Sequence, residues 1–295
     1  MPASSDIQRS SPFDNFLVVF HPQFAEASER AQEIVAFLEA RGTAALKGML
    51  YDETIAKHLE DGEKTLMVVL GGDGTMLRAG NLCAPHNIPI LGINMGRFGF
   101  LTEIREEQWR EVFPRLLSGD YWIEHRMMLR AEQWRKDQIL GSWEVLNEVV
   151  VSRGHTVRPV HLITHVDGRH LTTYVADALI ASTATGSTAY ALAAGGPILP
   201  PELRNILLVA VAPHLSIDRA IVLAEGSSVS ITVQTTHQAV MSPDGHGPVD
   251  MEDGDRIDAY ASEHSARFIR FQDPGYFYRN LTPHMSQNPS TGNSR

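Results

Sequence analysis

Leu66-Met67-Val68-Val69-Leu70 runs directly into Gly71-Gly72-Asp73-Gly74-Thr75, and the fold is read outward from this stretch. Five apolar residues without polar alternation suit a strand buried on both faces, as in a parallel sheet covered by helices. Two glycines end it abruptly, and a helix is expected to start near Met76. Upstream, Phe16 to Phe20 (FLVVF) is a second such strand. Ala27, Ala31, Ile34 and Leu38 then recur at helical spacing before Gly42. Downstream, Ile88 to Ile93 is a third strand, ending near Asn94-Met95-Gly96. Strands alternating with helices predict a parallel α/β sheet. Ligands of such sheets sit beyond the carboxyl ends of the strands, where both glycine-rich segments fall.

After about Asp120 the texture changes. His161 to Val166, Asp167-Gly168 and Arg169 to Tyr174 read as a hairpin, since Asp-Gly between strand-like runs favours a two-residue turn. Glu144 to Val151, Ile206 to Ala212, Ser228 to Gln234 and Arg256 to Ala261 are further strands, with one helix expected over Ser187 to Ala194. The fold class is therefore a Rossmann-like α/β domain, residues 1–120, followed by a mainly β domain, residues 121–284, with a return of the C-terminal segment to the first domain left open. Residues 285–295, rich in Ser, Asn and Pro, are expected to be a disordered tail.

The chain has 295 residues, 43% of them hydrophobic, enough for two ordinary domains. No apolar run approaches the roughly 18 residues of a membrane span, and Met1 to Ser11 is polar rather than signal-like. With 25 Lys and Arg against 35 Asp and Glu, the net charge of −10 argues against nucleic acid and anionic membranes as partners. Cys83 is the only cysteine, so no intrachain disulfide forms, which suits a cytoplasmic setting. Phosphates must then be held by local backbone N–H groups, a few arginines and a divalent cation. No Walker A spacing surrounds Lys47, which excludes a P-loop kinase.

Gly71, Gly72, Gly74 and Thr75 suit a loop whose amides, with a helix N-terminus, bind a di- or triphosphate. Asp73 in its middle repels phosphate unless it serves a metal or accepts a proton from a hydroxyl nucleophile. The structural alternative is a tight turn with Asp73 as helix cap. Thr183 to Tyr190 (TATGSTAY) either lines a nucleotide with Tyr190 as an aromatic face or is a small-residue helix start. Asn147-Glu148, inside an apolar run, needs polar partners if buried and is a solvated strand face otherwise. Asp177 is a half-buried carboxylate seeking a donor, or an edge position. His161, His165 and His170 lack metal-ligand spacing, and no Gly-x-Ser-x-Gly surrounds any serine.

Taken together, Gly71 to Thr75, the segment Gly92 to Leu101 (GINMGRFGFL), Asn147-Glu148 and Thr185 to Tyr190 resemble, in order and spacing, the NAD kinase family across nearly the whole chain. The resemblance implies transfer of the ATP γ-phosphate to the 2′-hydroxyl of the adenosine ribose of NAD, giving NADP, with Mg²⁺ assisting. It implies that Asp73 is the proton acceptor and that Gly74 approaches the dinucleotide through its backbone. Asn147 and Glu148 would contact the nucleoside, and Asp177 would hold the nicotinamide end. Thr188, Ala189, Tyr190, Ala191, Leu192 and Ala193 would line adenine and ribose, with Arg158 and His246 also touching the dinucleotide. Homo-oligomers, dimer or tetramer, are typical of that family. Three positions depart from its pattern: Val175 in place of a basic residue, Ala178 in place of glycine and Ala184 in place of proline. A Gly-Gly-Asp-Gly kinase of a lipid or sugar phosphate, and a non-catalytic dinucleotide sensor, are the competing readings.

Overall fold

A computed structural model describes residues 12–96, 99–214 and 216–286. The polar stretch 1–11, Arg97-Phe98 of the second glycine-rich motif, and the tail from 287 onward lie outside the described residues. The chain forms two compact units, one of residues up to Glu124 together with those from Arg267 onward, the other His125–Ala266. The sequence reading divides instead at residues 120 and 284.

The first unit contains β1 (Asn15–Phe20), α1 (Ala27–Glu39), β2 (Ala44–Met49), the one-turn α2 (Glu53–Ala56), β3 (Thr65–Gly71), α3 (Asp73–Cys83), β4 (Ile90–Asn94), β5 (Ile104–Arg105) and α4 (Trp109–Ser118). Strands pair in the order β2-β1-β3-β4, all parallel. Every residue of β3 and β4 is buried, which is why their sequences show no polar alternation. The strand order reverses between β1 and β3, and ligands of open α/β sheets bind beyond the carboxyl ends at such a point. Phe20 and Gly71 stand there.

Helix α1 buries Ala27, Ala31, Ile34, Val35 and Leu38, the face its spacing marks out. It stops where Gly42 takes a φ of 75° and returns its N–H to the Glu39 carbonyl. Helix α3 lays Met76, Ala79, Gly80 and Cys83 on the sheet. It lies so close that a Cβ on Gly92 of β4 would fall 2.7 Å from the Met76 thioether. Helix α4 buries Trp109, Phe113 and Leu116, with Phe37 of α1 edge-on to the two rings at 5.4 and 5.9 Å. Burying each such ring is worth about 2–3 kcal/mol.

Strand β6 (Trp122–Arg135) leads into the second unit. There follow β7 (Gln138–Val145), β8 (Glu148–Arg153), β9 (Val160–Val166), β10 (Arg169–Ala176), β11 (Ala178–Ser182), the one-turn α5 (Tyr190–Ala193), β12 (Leu207–Val211), β13 (Ile221–Val222), β14 (Ser228–Gln234), β15 (Ala239–Pro243), β16 (Val249–Met251) and β17 (Arg256–Arg270). One sheet runs β10-β9-β14-β17, with β6 and β7 continuing it; the other runs β13-β12-β11-β8-β15-β16. Their inner faces share one core, in which Leu162, Tyr174, Val229 and Ile257 meet Val149, Leu179 and Met241. This is a β-sandwich. The β9–β10 turn places Asp167 and Gly168 at φ 51° and 73°, the two left-handed residues its Asp-Gly predicts.

Two expected elements form differently. The single strand read over Glu144 to Val151 is broken at Leu146-Asn147, because the N–H groups of Leu146, Asn147 and Glu148 all turn to the Asp244 carboxylate, at 2.7, 2.8 and 3.0 Å. Successive amides aimed at one acceptor cannot alternate across a ladder. The helix read over Ser187 to Ala194 is a 3-10 turn, Thr185–Thr188, then α5, broken at Ala189. Ser187 holds that break by donating to the Ala184 carbonyl and accepting the Leu199 N–H. The described residues end, back in the first unit, with α6 (Tyr276–Ser286). No helix among the described residues is long and apolar enough to cross a membrane.

Candidate functional site

The phosphate-loop candidate is built by the meeting of β3 and α3. A Cβ on Gly71 would lie 2.5 Å from the Thr75 hydroxyl, so the turn closes only with glycine. Thr75 and Met76 donate to the Gly72 carbonyl at 2.9 and 3.1 Å, which starts the helix at Asp73 rather than near Met76. The first amides of a helix have no acceptor within it, and their partial positive charge suits an anion. Around Gly72 and Gly74 a Cβ would meet nothing within 4 Å, so the backbone is open to a ligand.

Asp73 does not cap its own helix; Gly72 holds that position. Its carboxylate instead accepts the N–H groups of Phe100 at 2.7 Å and Leu101 at 3.1 Å, one on each oxygen. Each oxygen keeps a lone pair for a hydroxyl or a metal. Gly99 is required beside it, since a Cβ there would overlap the carboxylate. Further along, the Leu101 carbonyl accepts from Arg270 Nη1 at 3.1 Å. Arg270 is 1% exposed and meets Glu124 at 2.8 Å, and the Tyr276 hydroxyl also reaches Glu124. Glu103 receives the N–H groups of Phe271 and Gln272; burial pushes its carboxyl up and the Arg270 charge opposes that. The sequence reading missed this network, although a lone arginine inside Phe268-Ile269-Arg270-Phe271 is its trace.

In the second unit the core of the candidate site is the turn Leu146-Asn147-Glu148. Asp244, at φ 47° and followed by Gly245 at φ 67°, clamps the turn by the three hydrogen bonds above and returns its own N–H to the Glu148 carbonyl. On the other side Thr183 donates to the Leu146 carbonyl at 2.6 Å and Ser182 to that of Asn147 at 3.1 Å. A Cβ on Gly186 would overlap the same Asn147 carbonyl, which explains the small residues of this segment. Glu148 is buried rather than on a solvated face, and its Oε2 has no hydrogen-bond partner. Burial pushes its carboxyl up to about 8, Asp244 adds to the effect, and the Tyr190 N–H opposes it. Near neutral pH Glu148 thus carries a proton it can donate to a ligand oxygen. Asp244 was not a sequence candidate, though Pro243-Asp244-Gly245 is a turn signal.

Other candidates are distributed around this turn. Tyr190 is 43% exposed, Thr188, Ala189 and Leu192 are half-buried and Ala193 is exposed, whereas Ala191 is wholly buried against Ile180, Leu199 and Leu207. Ala184 lies in that same cluster. His246 follows Asp244-Gly245 in the clamping turn, where its carbonyl accepts from Ser242. Asp177 pairs with Arg153 at 3.0 Å. Because Glu148 is opposite Ser182 across the β8–β11 ladder, Asp177 lies about 17 Å along it from Glu148. Arg158 lines a separate hollow of about 520 Å³ with His161, Val175 and His237, which includes none of Asn147, Glu148, Asp177 or Tyr190. Ala178 is buried at the start of β11.

These features define a class of protein: an α/β unit with a glycine-flanked carboxylate at the turn from β3 into α3, joined to a β-sandwich unit with a clamped acidic turn. Family models for the ATP-NAD kinase N-terminal domain and C-terminal domain match residues 51–121 and 146–271. The NAD kinase of Chloroflexus aggregans is 38% identical over 264 residues, 90% of this chain and 95% of that protein. That of Geotalea daltonii is 37% identical over 258 residues, 84% and 89% of the two chains. Among solved structures, yeast NADH kinase complexed with NADH aligns with a TM-score of 0.82 at 23% identity, over 99% of this chain and 94% of that one, a likeness of fold. An NAD kinase from Archaeoglobus fulgidus in complex with ATP aligns at 0.73 and 25% identity, over 92% and 98%. The chain belongs to the NAD kinase family.

Proposed function

We propose that the chain transfers the γ-phosphate of ATP to the 2′-hydroxyl of the adenosine ribose of NAD, and that the α/β unit is the phosphate-loop domain and the β-rich unit the dinucleotide domain. The observation that carries this is Asp73, held by two backbone N–H groups at the mouth of an open glycine loop, with lone pairs to spare on both oxygens. In the reaction the ribose 2′-oxygen forms a bond to the γ-phosphorus and the bond from that phosphorus to the bridging oxygen breaks. ADP leaves with the electron pair, and the hydroxyl proton passes to Asp73. Amides of Gly72 and Gly74 neutralise phosphate charge, the larger part of catalysis in phosphoryl transfer.

Acceptor binding falls to Asn147 and Glu148 at the ribose, Thr188 to Ala193 around the adenosine with Tyr190 as aromatic face, and Asp177 at the nicotinamide end, with Arg158 and His246 as further contacts. Among the described residues no three His, Cys, Asp or Glu side chains converge as a metal cage. Mg²⁺ is commonly bound by one carboxylate together with substrate phosphates, and Asp73 fits that mode; bound so, the ion would offset phosphate charge. A cytoplasmic setting and a homo-oligomer belong to the same reading.

The test is incubation of the purified chain with ATP, Mg²⁺ and NAD, with NADP read by a strictly NADP-dependent dehydrogenase. NADP well above a no-enzyme blank is expected. Asp73→Asn should keep the fold and NAD binding and lower turnover by at least ~10²-fold, the scale of a lost general base. Near-normal turnover in that variant would overturn the role of Asp73.

A further inference from the structure

The two N–H groups that hold the Asp73 carboxylate come from one short strap, Gly99 to Leu101, which forms neither strand nor helix. A segment without a ladder of its own takes its geometry from what packs on it. Leu101 is tied through its carbonyl to Arg270. Phe100 is tied through its ring: the ring of Phe277 lies 6.4 Å away, centroid to centroid, with the planes tilted by 45°, the spacing of an aromatic pair. Phe277 is 7% exposed and Phe100 half-buried, so the contact is part of the interior of the first unit.

Phe277 is the second residue of α6, and the first, Tyr276, backs the other tie. The Tyr276 hydroxyl lies 3.2 and 3.1 Å from the two oxygens of Glu124, and its ring centroid is 5.1 Å from the Arg270 guanidinium. Two neighbouring residues of one helix therefore stand behind the two successive amides that fix Asp73. Asp273 sets where that helix begins. Its carbonyl accepts the Tyr276 N–H and its Oδ1 the Gly275 N–H, each at 2.9 Å, while Arg279 reaches both its oxygens at 3.0 and 2.6 Å. A carboxylate that takes a proton during phosphoryl transfer must be held in place, and a displacement of about 1 Å can cost about a hundredfold in rate. Removing the Phe277 ring would leave a void into which Phe100, and its amide, can relax.

We propose that the start of α6 braces the catalytic carboxylate, with Phe277 as a positioning residue that acts through Phe100 on Asp73. This rests on the reading of Asp73 as the proton acceptor of a kinase.

The experiment measures kcat and KM for ATP and NAD, with Mg²⁺, in wild type, Phe277→Ala, Phe277→Leu, Phe100→Ala and the double variant Phe100→Ala with Phe277→Ala. It also follows hydrogen exchange at the Phe100 and Leu101 amides. In Phe277→Ala kcat should fall at least about tenfold, and by less in Phe277→Leu, which keeps most of the apolar volume, while both KM values stay within about twofold. The two amides should exchange faster in Phe277→Ala, with exchange in the β-sandwich unaltered. Because the effect runs through Phe100, adding Phe277→Ala to Phe100→Ala should lower kcat by less than about twofold more. Wild-type kcat in Phe277→Ala, a rise in either KM at unchanged kcat, or an undiminished further loss in the double variant would overturn the assignment. Thermal melts separate these outcomes from loss of fold, and should Phe277→Ala be unfolded at the assay temperature, Phe277→Leu serves in the same comparisons. Should wild type form no NADP, the kinase reading fails, and exchange still tests the brace: wild-type exchange at Phe100 and Leu101 in Phe277→Ala would overturn it.

Discussion

Glu148 is the site residue whose chemistry departs far from that of its type. A glutamate ordinarily ionises near 4.5, and here burial, with Asp244 adding its charge, moves that to about 8. The unfolded chain releases this proton first, so ionisation favours unfolding: stability is fully present below about 4.5 and falls as pH rises to about 8. Glu148→Gln keeps the shape and removes the proton. Its advantage over wild type should grow through that window to on the order of a few kcal/mol and level off above it. Urea unfolding at pH 5, 6.5 and 8 measures this, and parallel pH profiles for the two proteins would count against a neutral Glu148. Sequence exposed the candidate, since Asn147-Glu148 interrupts an apolar run. It did not expose the state of the carboxyl, because Asp244 lies 96 residues away and only folding brings them together.

Elements that bury both faces, or that turn on glycine, were legible because local sequence dictates them. Strand β3 ends where two glycines permit the close turn onto α3, and the β9–β10 turn is written as Asp-Gly. What was not legible depends on distant partners: the break between β7 and β8 is made by Asp244 from the end of β15, and the break before α5 by Ser187 bonding to Leu199. Gly186 shows how tightly these elements meet. A Cβ there would overlap the backbone carbonyl of Asn147, and backbone cannot rotate away as a side chain does. Gly186→Ala should therefore part the segment Thr183–Ser187 from the acidic turn, costing about 1–3 kcal/mol. KM for NAD should rise at least several-fold, with KM for ATP little changed. Denaturant unfolding and steady-state kinetics check both, and wild-type values in each would show that the turn tolerates the methyl.

Seen over the whole chain, the first unit is discontinuous in sequence, and what its C-terminal return contributes is a buried cation. Arg270, arriving after the entire β-sandwich, neutralises Glu124, faces the field of Glu103 and holds the Leu101 carbonyl, whose own amide holds Asp73. Reading Arg256 to Ala261 as a strand found the beginning of β17 but not that its end lies in another unit, because strand pattern does not report partner identity. A buried pair is costly to break, since the remaining charge is left without a partner in a poor solvent. Arg270→Met should thus cost about 3–5 kcal/mol in urea unfolding at pH 8. Two carboxyls would be stranded, and acid would neutralise them, so the deficit should shrink as pH falls toward 5. Turnover should drop at pH 8 even where the variant is folded, because the strap from Gly99 to Leu101 loses its anchor and Asp73 its fixed orientation. An Arg270→Met variant with wild-type stability, or one whose deficit is the same at pH 5 and 8, would mean that the cation is not what completes this unit.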